Sequence, residues 1–300
     1  MNYVLGFDGG GTKTECVLTD PARKILARSF SGPSNPSRIG VESAAREIEK
    51  AADLCLQEVR AERTAVTALG AGLAGTTDPG RKEKMRVALA AAFPGAAVSI
   101  FTDLEMALAA AGEGPLIVLV AGTGSAAIGR DAQGKIWRTG GYGPLHSDDG
   151  SAYDIGSRAV AGARKEREQR GADSSLGKAI LEQLGYKSWP DLQHRAEQQA
   201  DSVFPLVFPV VAAAADDGDA SAREILARAA AELSALVQAV AEHAGFGGEN
   251  ILVAKTGGTV GRSTFFDAQL DAALKRVLPQ ARIGGLQMSP AEAAARAARY

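Results

Sequence analysis

A carboxylate, a run of glycines, two hydroxyls and a cation follow one another near the start of the chain. Between the apolar runs 3–5 and 16–18 the sequence reads Phe7-Asp8-Gly9-Gly10-Gly11-Thr12-Lys13-Thr14. This pattern predicts a β-hairpin whose turn carries few side chains. Glycine lets backbone N–H groups approach an anion closely because no Cβ stands in the way, and Thr12 and Thr14 add hydroxyl donors. The turn is therefore suited to a nucleotide phosphate, with an ordinary glycine turn as the alternative.

Asp8 ends the first predicted strand, where its carboxylate could hold a divalent cation. Mg²⁺ keeps much of its hydration shell in proteins, so we expect the contact to pass through water. A cation at this point would lie beside the glycines that are predicted to receive the phosphate. The two features together indicate a nucleotide site.

The same strand, glycine turn and strand return in the second part of the chain. An apolar run at 116–120 predicts a buried strand, 126–129 predicts its partner, and between them the sequence reads Gly122-Thr123-Gly124-Ser125. A tight strand connection is the simpler explanation of this second turn. Two halves that each open with a phosphate-type hairpin nevertheless indicate duplicated domains that face a shared cleft.

Composition limits the kind of protein. A chain of 300 residues favours two domains, and its net charge of −2 gives no electrostatic footprint for nucleic acid. Two cysteines, Cys16 and Cys55, exclude a disulfide framework and a multi-cysteine zinc site. We find no charged-then-apolar leader and no apolar run of about 18 residues. The sequence therefore predicts a cytoplasmic protein without a membrane or nucleic-acid partner.

Alternating strands and helices predict an α/β fold. Before a boundary at 112–115, the predicted strands are 3–8, 15–19, 24–29, 67–72 and 98–101, and the predicted helices are 42–60, 81–93 and 104–111. After it, the predicted strands are 116–120, 126–129, 135–137 and 251–254, and the predicted helices are 152–164, 221–244 and 290–300.

Asp103 follows a predicted strand and precedes a predicted helix. A carboxylate at a strand end can accept a proton from a hydroxyl, and phosphoryl transfer needs such a hydroxyl held in line with the γ-phosphate. Thr102 and Glu105 also match a capping box, so a helix-capping role for this segment is the alternative.

Taken in chain order, the motifs resemble those of the BadF/BadG/BcrA/BcrD-type ATPases, and among them the N-acetylglucosamine kinases. The matching segments are Asp-Gly-Gly-Gly-Thr-Lys-Thr (8–14), Thr-Asp (102–103), Ala-Gly-Thr-Gly-Ser (121–125), Gly-Gly-Tyr-Gly (140–143), Asp-Asp-Gly-Ser (148–151) and Thr-Gly-Gly (256–258). The family belongs to the actin, hexokinase and heat-shock chaperone ATPase superfamily. The resemblance implies two ribonuclease-H-like domains, 1–112 and 113–288, with a nucleotide cleft between them, and a last helix, 289–300, that returns to the first.

The resemblance also implies residue roles. It implies an ATP-dependent kinase for an amino sugar, N-acetylglucosamine at its 6-hydroxyl or glucosamine, that works as a homodimer. Asp103 would be the catalytic base and Asp8 would organise Mg²⁺. The implied ATP contacts are Gly10, Gly11, Thr12, Lys13, Thr14, Gly122, Thr123, Gly124, Ser125, Gly257 and Gly258. The implied sugar contacts are Asn35, Asp103, Gly141, Tyr142, Gly143 and Asp148.

The segment 142–151 departs from the family pattern. Where the family has Trp-Gly-His, two residues and Gly-Asp-Glu-Gly-Ser, this chain has Tyr-Gly-Pro-Leu-His-Ser-Asp-Asp-Gly-Ser. All four changes lie near the implied sugar pocket, so the sequence defines the reaction class but not the sugar. Simpler roles stay open for Asn35, which could only shape its turn, and for Asp148, which could be an acidic residue at a helix N-terminus.

A competing function is a nucleotide-driven activator or sensor that phosphorylates no sugar. Activators of this fold hold an iron–sulfur cluster with cysteines, whereas Cys16 lies in a predicted strand and Cys55 in a predicted helix. Two further expectations concern charged residues outside these motifs. Lys255 is expected to be exposed, and Asp216, Asp217 and Asp219 are expected to be solvated and to cap the helix 221–244.

Overall fold

The computed structural model describes residues 2–248 and 250–298. The chain folds as two compact units, one formed by Met1–Glu113 with Leu286–Tyr300 and the other by Gly114–Gly285. Each unit contains a five-stranded sheet that mixes parallel and antiparallel pairs. The predicted α/β class is confirmed.

The first unit has the sheet order β3-β2-β1-β4-β5. Its strands are β1 (Tyr3–Gly9), β2 (Thr14–Thr19), β3 (Ile25–Ser31), β4 (Val66–Leu73) and β5 (Ala97–Thr102). The first three strands pair antiparallel, while β1, β4 and β5 run parallel. The carboxyl ends of three strands therefore meet at one edge of the sheet.

Four helices follow the strands of this sheet. They are α1 (Pro36–Ile39), α2 (Val41–Glu58), α3 (Pro79–Ala92) and α4 (Asp103–Ala111), with a 3₁₀ turn at Arg63–Ala65. The buried positions Ile48, Ala51 and Cys55 recur at helical spacing on α2, which packs against β2 and β3. The predicted capping box is present at α4, because Thr102 and Glu105 bond each other's backbone N–H groups.

The second unit repeats the topology of the first. Its strands are β6 (Leu116–Ala121), β7 (Ser125–Arg130), β8 (Ile136–Gly140), β9 (Leu252–Thr256) and β10 (Arg282–Gly284), in the order β10-β9-β6-β7-β8. Here β6 has an antiparallel partner in β7 and a parallel partner in β9, just as β1 has in β2 and β4. The duplicated hairpins predicted from the two glycine turns are present.

Helices make up most of the second unit. They are α5 (Ala152–Arg170), α6 (Ser175–Leu184), α7 (Trp189–Asp216), α8 (Ala220–Ala244) and α9 (Thr264–Val277). Asp219 caps α8 as expected. The expectation that Asp216 also caps α8 is wrong. Its carboxylate accepts hydrogen bonds from Ser263 and from the first residues of α9, so it caps that helix instead.

The last helix, α10 (Pro290–Ala297), belongs to the first unit. It lies directly on β1 and β4, where Gly6 and Gly70 allow a very close approach. A Cβ on Gly6 would lie 2.1 Å from the carbonyl oxygen of Ala291, and a Cβ on Gly70 would lie 2.1 Å from that of Ala294. Any larger residue at either glycine would push the helix off the sheet.

An ion-pair network fastens α10 to the antiparallel side of the sheet. Arg28 on β3 pairs with both Glu15 on β2 and Glu292 on α10. Ser289 caps α10 and donates its hydroxyl to Glu15 at 3.0 Å.

Within residues 2–248 and 250–298, no helix combines the length and the apolar character needed to cross a bilayer.

Candidate active site

The parallel edge of the first sheet brings two aspartates together. Asp8 pairs in register with Gly72, and Gly72 with Phe101, two residues before Asp103. The pKa of Asp8 is raised to about 7, chiefly by burial and then by the negative charges of Asp103 and Glu15, while Lys13 acts in the opposite direction. A divalent cation at Asp8 would favour the ionised carboxylate, and oxygen ligands of this kind suit hard cations.

Backbone hydrogen bonds shape the first glycine turn (residues 9–13). The N–H of Gly10 donates to the carbonyl of Lys13 at 3.0 Å, and the N–H of Ser34 donates to the carbonyl of Gly10 at 3.0 Å. Gly11, Thr12 and Lys13 are exposed at its tip, and the Lys13 ammonium lies 5.1 Å from the centre of the Phe30 ring. The tip is therefore open to a ligand.

Thr14 requires a correction. It was predicted to add a hydroxyl donor to the phosphate site, but its side chain is fully buried. The hydroxyl donates to the carbonyl of Gly32 at 2.7 Å and lies 2.7 Å from the hydroxyl of Ser34. The Thr14 hydroxyl therefore links the end of the first glycine turn to the loop that contains Gly32 and Ser34. Because it is bonded there, it is not available to a phosphate.

Asn35 combines a structural role with a position near the same edge. It caps α1, and its Oδ1 accepts hydrogen bonds from the backbone N–H of Ser37 at 2.9 Å and from the Ser37 hydroxyl at 2.7 Å. The same oxygen lies 2.2 Å from where a Cβ on Gly75 would be. The turn-shaping role thus uses Oδ1, and a substrate contact by Asn35 would use its amide NH₂ group.

Sequence reasoning missed two residues at this edge. Gly75 ends the turn after β4 with φ +80 and packs against Asn35. Arg38 lies against the first glycine turn, since its Nη1 would be 3.2 Å from a Cβ on Gly11. A signal for Gly75 was present in the glycines that follow β4, because β4 ends at the same edge as the strands of Asp8 and Asp103.

In the second unit, Asp148 lies against the second glycine turn (residues 122–125). The turn is closed by a 2.9 Å hydrogen bond from the N–H of Gly122 to the carbonyl of Gly124. Asp148 is 8% exposed and accepts a hydrogen bond from the N–H of Ser125 at 3.4 Å. A Cβ on Gly124 would lie 2.7 Å from Oδ2 of Asp148, so only glycine leaves room for this carboxylate.

The start of α5 also packs on the second glycine turn. The N–H groups of Ala152 and Tyr153 donate to the carbonyls of Gly122 and Thr123 at 2.9 and 3.4 Å. Ser151, not Asp148, caps α5, because its hydroxyl accepts the N–H of Asp154 at 3.2 Å. Asp148 therefore does not supply the side-chain cap of α5, and its carboxylate accepts the N–H of Ser125 instead.

The tyrosine loop (residues 141–147) contains three of the four departures from the family pattern, Tyr142, Pro144 and Ser147, and the fourth, Asp149, follows it. Tyr142 is 66% exposed, and its ring lies 5.2 Å from the guanidinium of Arg138. The loop is closed by a 2.8 Å hydrogen bond from the N–H of Tyr142 to the hydroxyl of Ser147. Gly141 and Gly143 have φ of +73 and +94, which few other residues adopt. Ser147 thus closes the loop through a hydroxyl that the family's glycine lacks.

The turn after β9 lies beside the second glycine turn. Gly257 has φ +114, and a Cβ there would lie 2.2 Å from the carbonyl oxygen of Ala121. A Cβ on Gly122 would lie 3.6 Å from the backbone nitrogen of Gly258. The predicted adenosine and phosphate turns of this unit are therefore neighbours. Thr259 secures the arrangement by donating its hydroxyl to the Ala121 carbonyl at 2.7 Å.

Lys255 is not exposed as expected. Its side chain is only 10% exposed, and its ammonium pairs with the carboxylate of Asp271 on α9. The lysine therefore links β9 to α9 beside the Gly257 turn, and Asp271 already neutralises its charge.

The profile of the BadF/BadG/BcrA/BcrD ATPase family matches residues 5–295, nearly the whole chain. The chain belongs to this family. The resemblance seen in the sequence motifs is confirmed, and membership in an ATPase family implies that the protein uses ATP.

Two relatives and one solved structure extend the comparison for this BadF-family chain. It is 30% identical to an N-acetylmuramic acid/N-acetylglucosamine kinase of Clostridium acetobutylicum, over 94% of each chain. It is 29% identical to an N-acetyl-D-glucosamine kinase of Dictyostelium discoideum, over 97% of this chain and 96% of the relative. A solved protein of Chromobacterium violaceum, named as a candidate N-acetylglucosamine kinase, has the same fold. Its TM-score is 0.80 at 24% identity, and the match covers 99% of this chain and 98% of that one.

Proposed function

We propose that this BadF-family protein is an ATP-dependent kinase that phosphorylates an amino sugar. The observation that carries the proposal is the pair Asp8 and Asp103 at one sheet edge, close enough for the charge of one to affect the pKa of the other. The edge offers one carboxylate for a cation and a second for a hydroxyl proton. The kinase names of the two curated relatives support the same reaction class.

In the proposed reaction, Asp103 is the general base. Its carboxylate accepts the proton of the sugar hydroxyl while the hydroxyl oxygen forms a bond to the γ-phosphorus, and the bond from that phosphorus to the β–γ bridging oxygen breaks. The products are a sugar phosphate, ADP and protonated Asp103, which returns its proton to solvent. The capping box of Thr102 and Glu105 fixes the backbone at the start of α4, and Asp103 is the first residue of that helix. The capping box therefore fixes the backbone position of Asp103.

The ATP contacts are proposed along the two glycine turns. Backbone N–H groups at Gly11 and Thr12, with the Lys13 ammonium, are the proposed donors of the first turn, and those of Thr123 and Gly124 are the proposed donors of the second. The N–H groups of Gly10, Gly122 and Ser125 already donate within the protein, so these residues are proposed to line the phosphate site without donating from their backbone. Fixed N–H dipoles stabilise charge that develops on a transferring phosphoryl group without reorganising. Gly257 and Gly258 are proposed to lie under the adenosine, because a Cβ on Gly258 would face open space and its absence allows a ligand to approach the backbone closely.

Mg²⁺ is the proposed metal, held by Asp8. The donor set fits, because the pKa of this carboxylate is raised to about 7 by burial and neighbouring acids. A bound cation would stabilise its charged form. When bound with ATP, Mg²⁺ neutralises charge on the phosphate oxygens. Asp8 orients the ion, and Asp103 stays available for the proton.

N-acetylglucosamine, accepted at its 6-hydroxyl, is the first proposed substrate, and glucosamine is the alternative. The proposed sugar contacts are Asn35, Asp103, Gly141, Tyr142, Gly143 and Asp148.

We also propose a homodimer, as the family resemblance implies, and a cytoplasmic location, where ATP and free sugars meet. Light scattering coupled to gel filtration would measure the mass, and a monomer at micromolar concentration would contradict the dimer.

A coupled ADP-release assay tests the function. Purified protein, ATP and Mg²⁺ are combined with N-acetylglucosamine, glucosamine, N-acetylmuramic acid or glucose, or with no sugar. We expect ADP release only with an amino sugar, and phosphorus NMR of the product should show a phosphate monoester on the 6-oxygen. Equal ADP release with and without sugar would instead support the activator or sensor class.

A further inference from the structure

Arg158 on α5 is the centre of a cluster of three carboxylates. It makes two hydrogen bonds to Glu232 on α8, at 2.8 and 2.9 Å, and its Nε lies 2.9 Å from Oδ1 of Asp154. Its Nη2 lies 3.9 Å from Oδ1 of Asp149. Only 22% of the arginine side chain is exposed, so water screens these interactions incompletely.

The carboxylates of this cluster would suit a cation if they stood alone. Oxygens of Asp149, Asp154 and Glu232 lie within 4.8 Å of one another. The guanidinium of Arg158 contacts all three carboxylates, and Arg228 supplies a second positive charge at Glu232 alone, 3.0 Å from Oε1. The cluster is therefore a salt-bridge network around an arginine, and its stability depends on that arginine.

The network holds one side of the aspartate loop (residues 148–151). Oδ2 of Asp154 accepts the N–H of Gly150 at 2.9 Å. Gly150 has φ +74, and a Cβ there would lie 2.7 Å from the carbonyl oxygen of Ala229, so the loop lies tightly against α8. Arg158 and Glu232 thus fix the loop from the helix side.

The opposite side of the aspartate loop meets the second glycine turn. Asp148 accepts the N–H of Ser125 at 3.4 Å, and the hydroxyl of Ser125 donates to the carbonyl of Asp149 at 2.8 Å. Gly150 and Asp148 are two residues apart in this loop, so a displacement at Gly150 also affects the backbone that carries Asp148. The location of the Asp148 carboxylate therefore depends on both supports.

We propose that Arg158 is a positioning residue that sets the location of Asp148 for the sugar. The inference rests on the proposed function, in which Asp148 is a sugar contact. Without the guanidinium, Glu232 keeps its pair with Arg228, but Asp149 and Asp154 lose the positive charge between them. The two aspartates then repel each other, Asp154 releases Gly150, and the aspartate loop moves away from the second glycine turn.

The test compares R158Q with R164Q. Arg164 lies on the same helix but bonds Gln193 and Glu168, away from the aspartate loop, so R164Q is the matched control. We expect R158Q to raise the KM for N-acetylglucosamine about tenfold and to leave the KM for ATP within about threefold. R158K should recover part of the loss, because one ammonium can still pair with Glu232 or Asp154.

A double-mutant cycle separates positioning from general damage. If Arg158 acts through Asp148, R158Q adds little to the sugar KM of D148N, whereas independent effects would multiply. E232Q provides a second variant should R158Q fail to fold, and it should raise the sugar KM by a smaller factor. Multiplicative effects, or a sugar KM that changes equally in R164Q, would overturn the proposal.

Hydrogen–deuterium exchange gives a readout that needs no kinase activity. Peptides that cover the aspartate loop should exchange at least about tenfold faster in R158Q than in wild type, and at the wild-type rate in R164Q. Unchanged exchange in R158Q would refute the positioning role by itself. A wild-type protein that releases no ADP with any sugar would instead refute the proposed function, and the exchange result would still decide whether Arg158 positions the loop.

Discussion

Oδ1 of Asn35 lies where a side chain on Gly75 would begin, 2.2 Å from the position of a Cβ. A methyl group cannot fit there, so G75A must displace the Asn35 side chain. We expect the sugar KM of G75A to rise at least about tenfold, since Asn35 is a proposed sugar contact. Steady-state kinetics with N-acetylglucosamine would measure the change.

The control for G75A is G95A. Gly95 lies in the same unit and also has a positive φ, +89, but a Cβ there would meet nothing within 4 Å. G95A should lose about 1 kcal/mol of unfolding free energy from the left-handed backbone. G75A should lose more because it also displaces Asn35, and only G75A should lose sugar affinity. Equal sugar KM values in the two variants would remove Asn35 and Gly75 from the sugar site.

D103N should retain nucleotide binding and lose phosphoryl transfer. The amide cannot accept the hydroxyl proton, and loss of a general base lowers kcat by about 10²–10⁴-fold. E105Q is the control, because it removes a charge from the same helical turn and keeps the capping box, which accepts Gln as well as Glu. Calorimetry with ATP should give similar affinities for D103N and E105Q, and wild-type turnover by D103N would exclude the base role.

The pKa of Asp8 predicts how stability depends on pH in the metal-free protein. This pKa is about 7 in the folded chain against an ordinary 3.8, so the folded state binds the proton more tightly than the unfolded state. The contribution of Asp8 to stability is therefore full below pH 4 and falls as the pH rises toward 7. D8N should lack this loss, and at pH 8 it should exceed wild type by about 2 kcal/mol, after allowance for partial solvent exposure.

Urea unfolding in EDTA between pH 5 and 8 would measure this difference between D8N and wild type. Mg²⁺ with ATP should then stabilise wild type at pH 8 more than D8N, because only the carboxylate attracts the cation. A difference in unfolding free energy that stays constant from pH 5 to 8 would show that the Asp8 pKa is ordinary.

G124A tests the contact between the second glycine turn and Asp148. Its Cβ would lie 2.7 Å from the Asp148 carboxylate, so either the turn or the aspartate loop must move. We expect kcat/KM for the sugar to fall by at least about 30-fold, or about 2 kcal/mol. G162A, on α5 with no atom within 4 Å of its new Cβ, should leave kcat/KM unchanged. A G124A enzyme with wild-type kinetics would contradict a role for this contact.

Local patterns were sufficient to predict much of the fold. The two glycine hairpins, the capping box at Thr102 and the strands next to them depend on residues a few positions apart. α7 was missed because its pattern is interrupted by Pro205, Pro209 and a non-helical Gln199. The chain kinks at Gln199, so α7 consists of two helical segments, and both prolines, which normally argue against a helix interior, lie in the second segment.

Contacts between distant residues explain the errors in the candidate site. The Thr14 hydroxyl bonds Gly32, 18 residues away, and Lys255 pairs with Asp271, 16 residues away. The residue types predicted which groups could do chemistry, but no local pattern indicates which of them are already committed to a partner elsewhere in the fold.

The position of α10 affects how the chain folds as it is made. This helix covers β1 and β4 at Gly6 and Gly70, yet the ribosome synthesises it after all of Gly114–Gly285. At about 5–20 residues per second, the first sheet waits roughly 10–30 s for α10 to be synthesised. During translation the face of the first sheet around Gly6 and Gly70 is therefore uncovered. We expect a chaperone to bind this face until the final helix emerges.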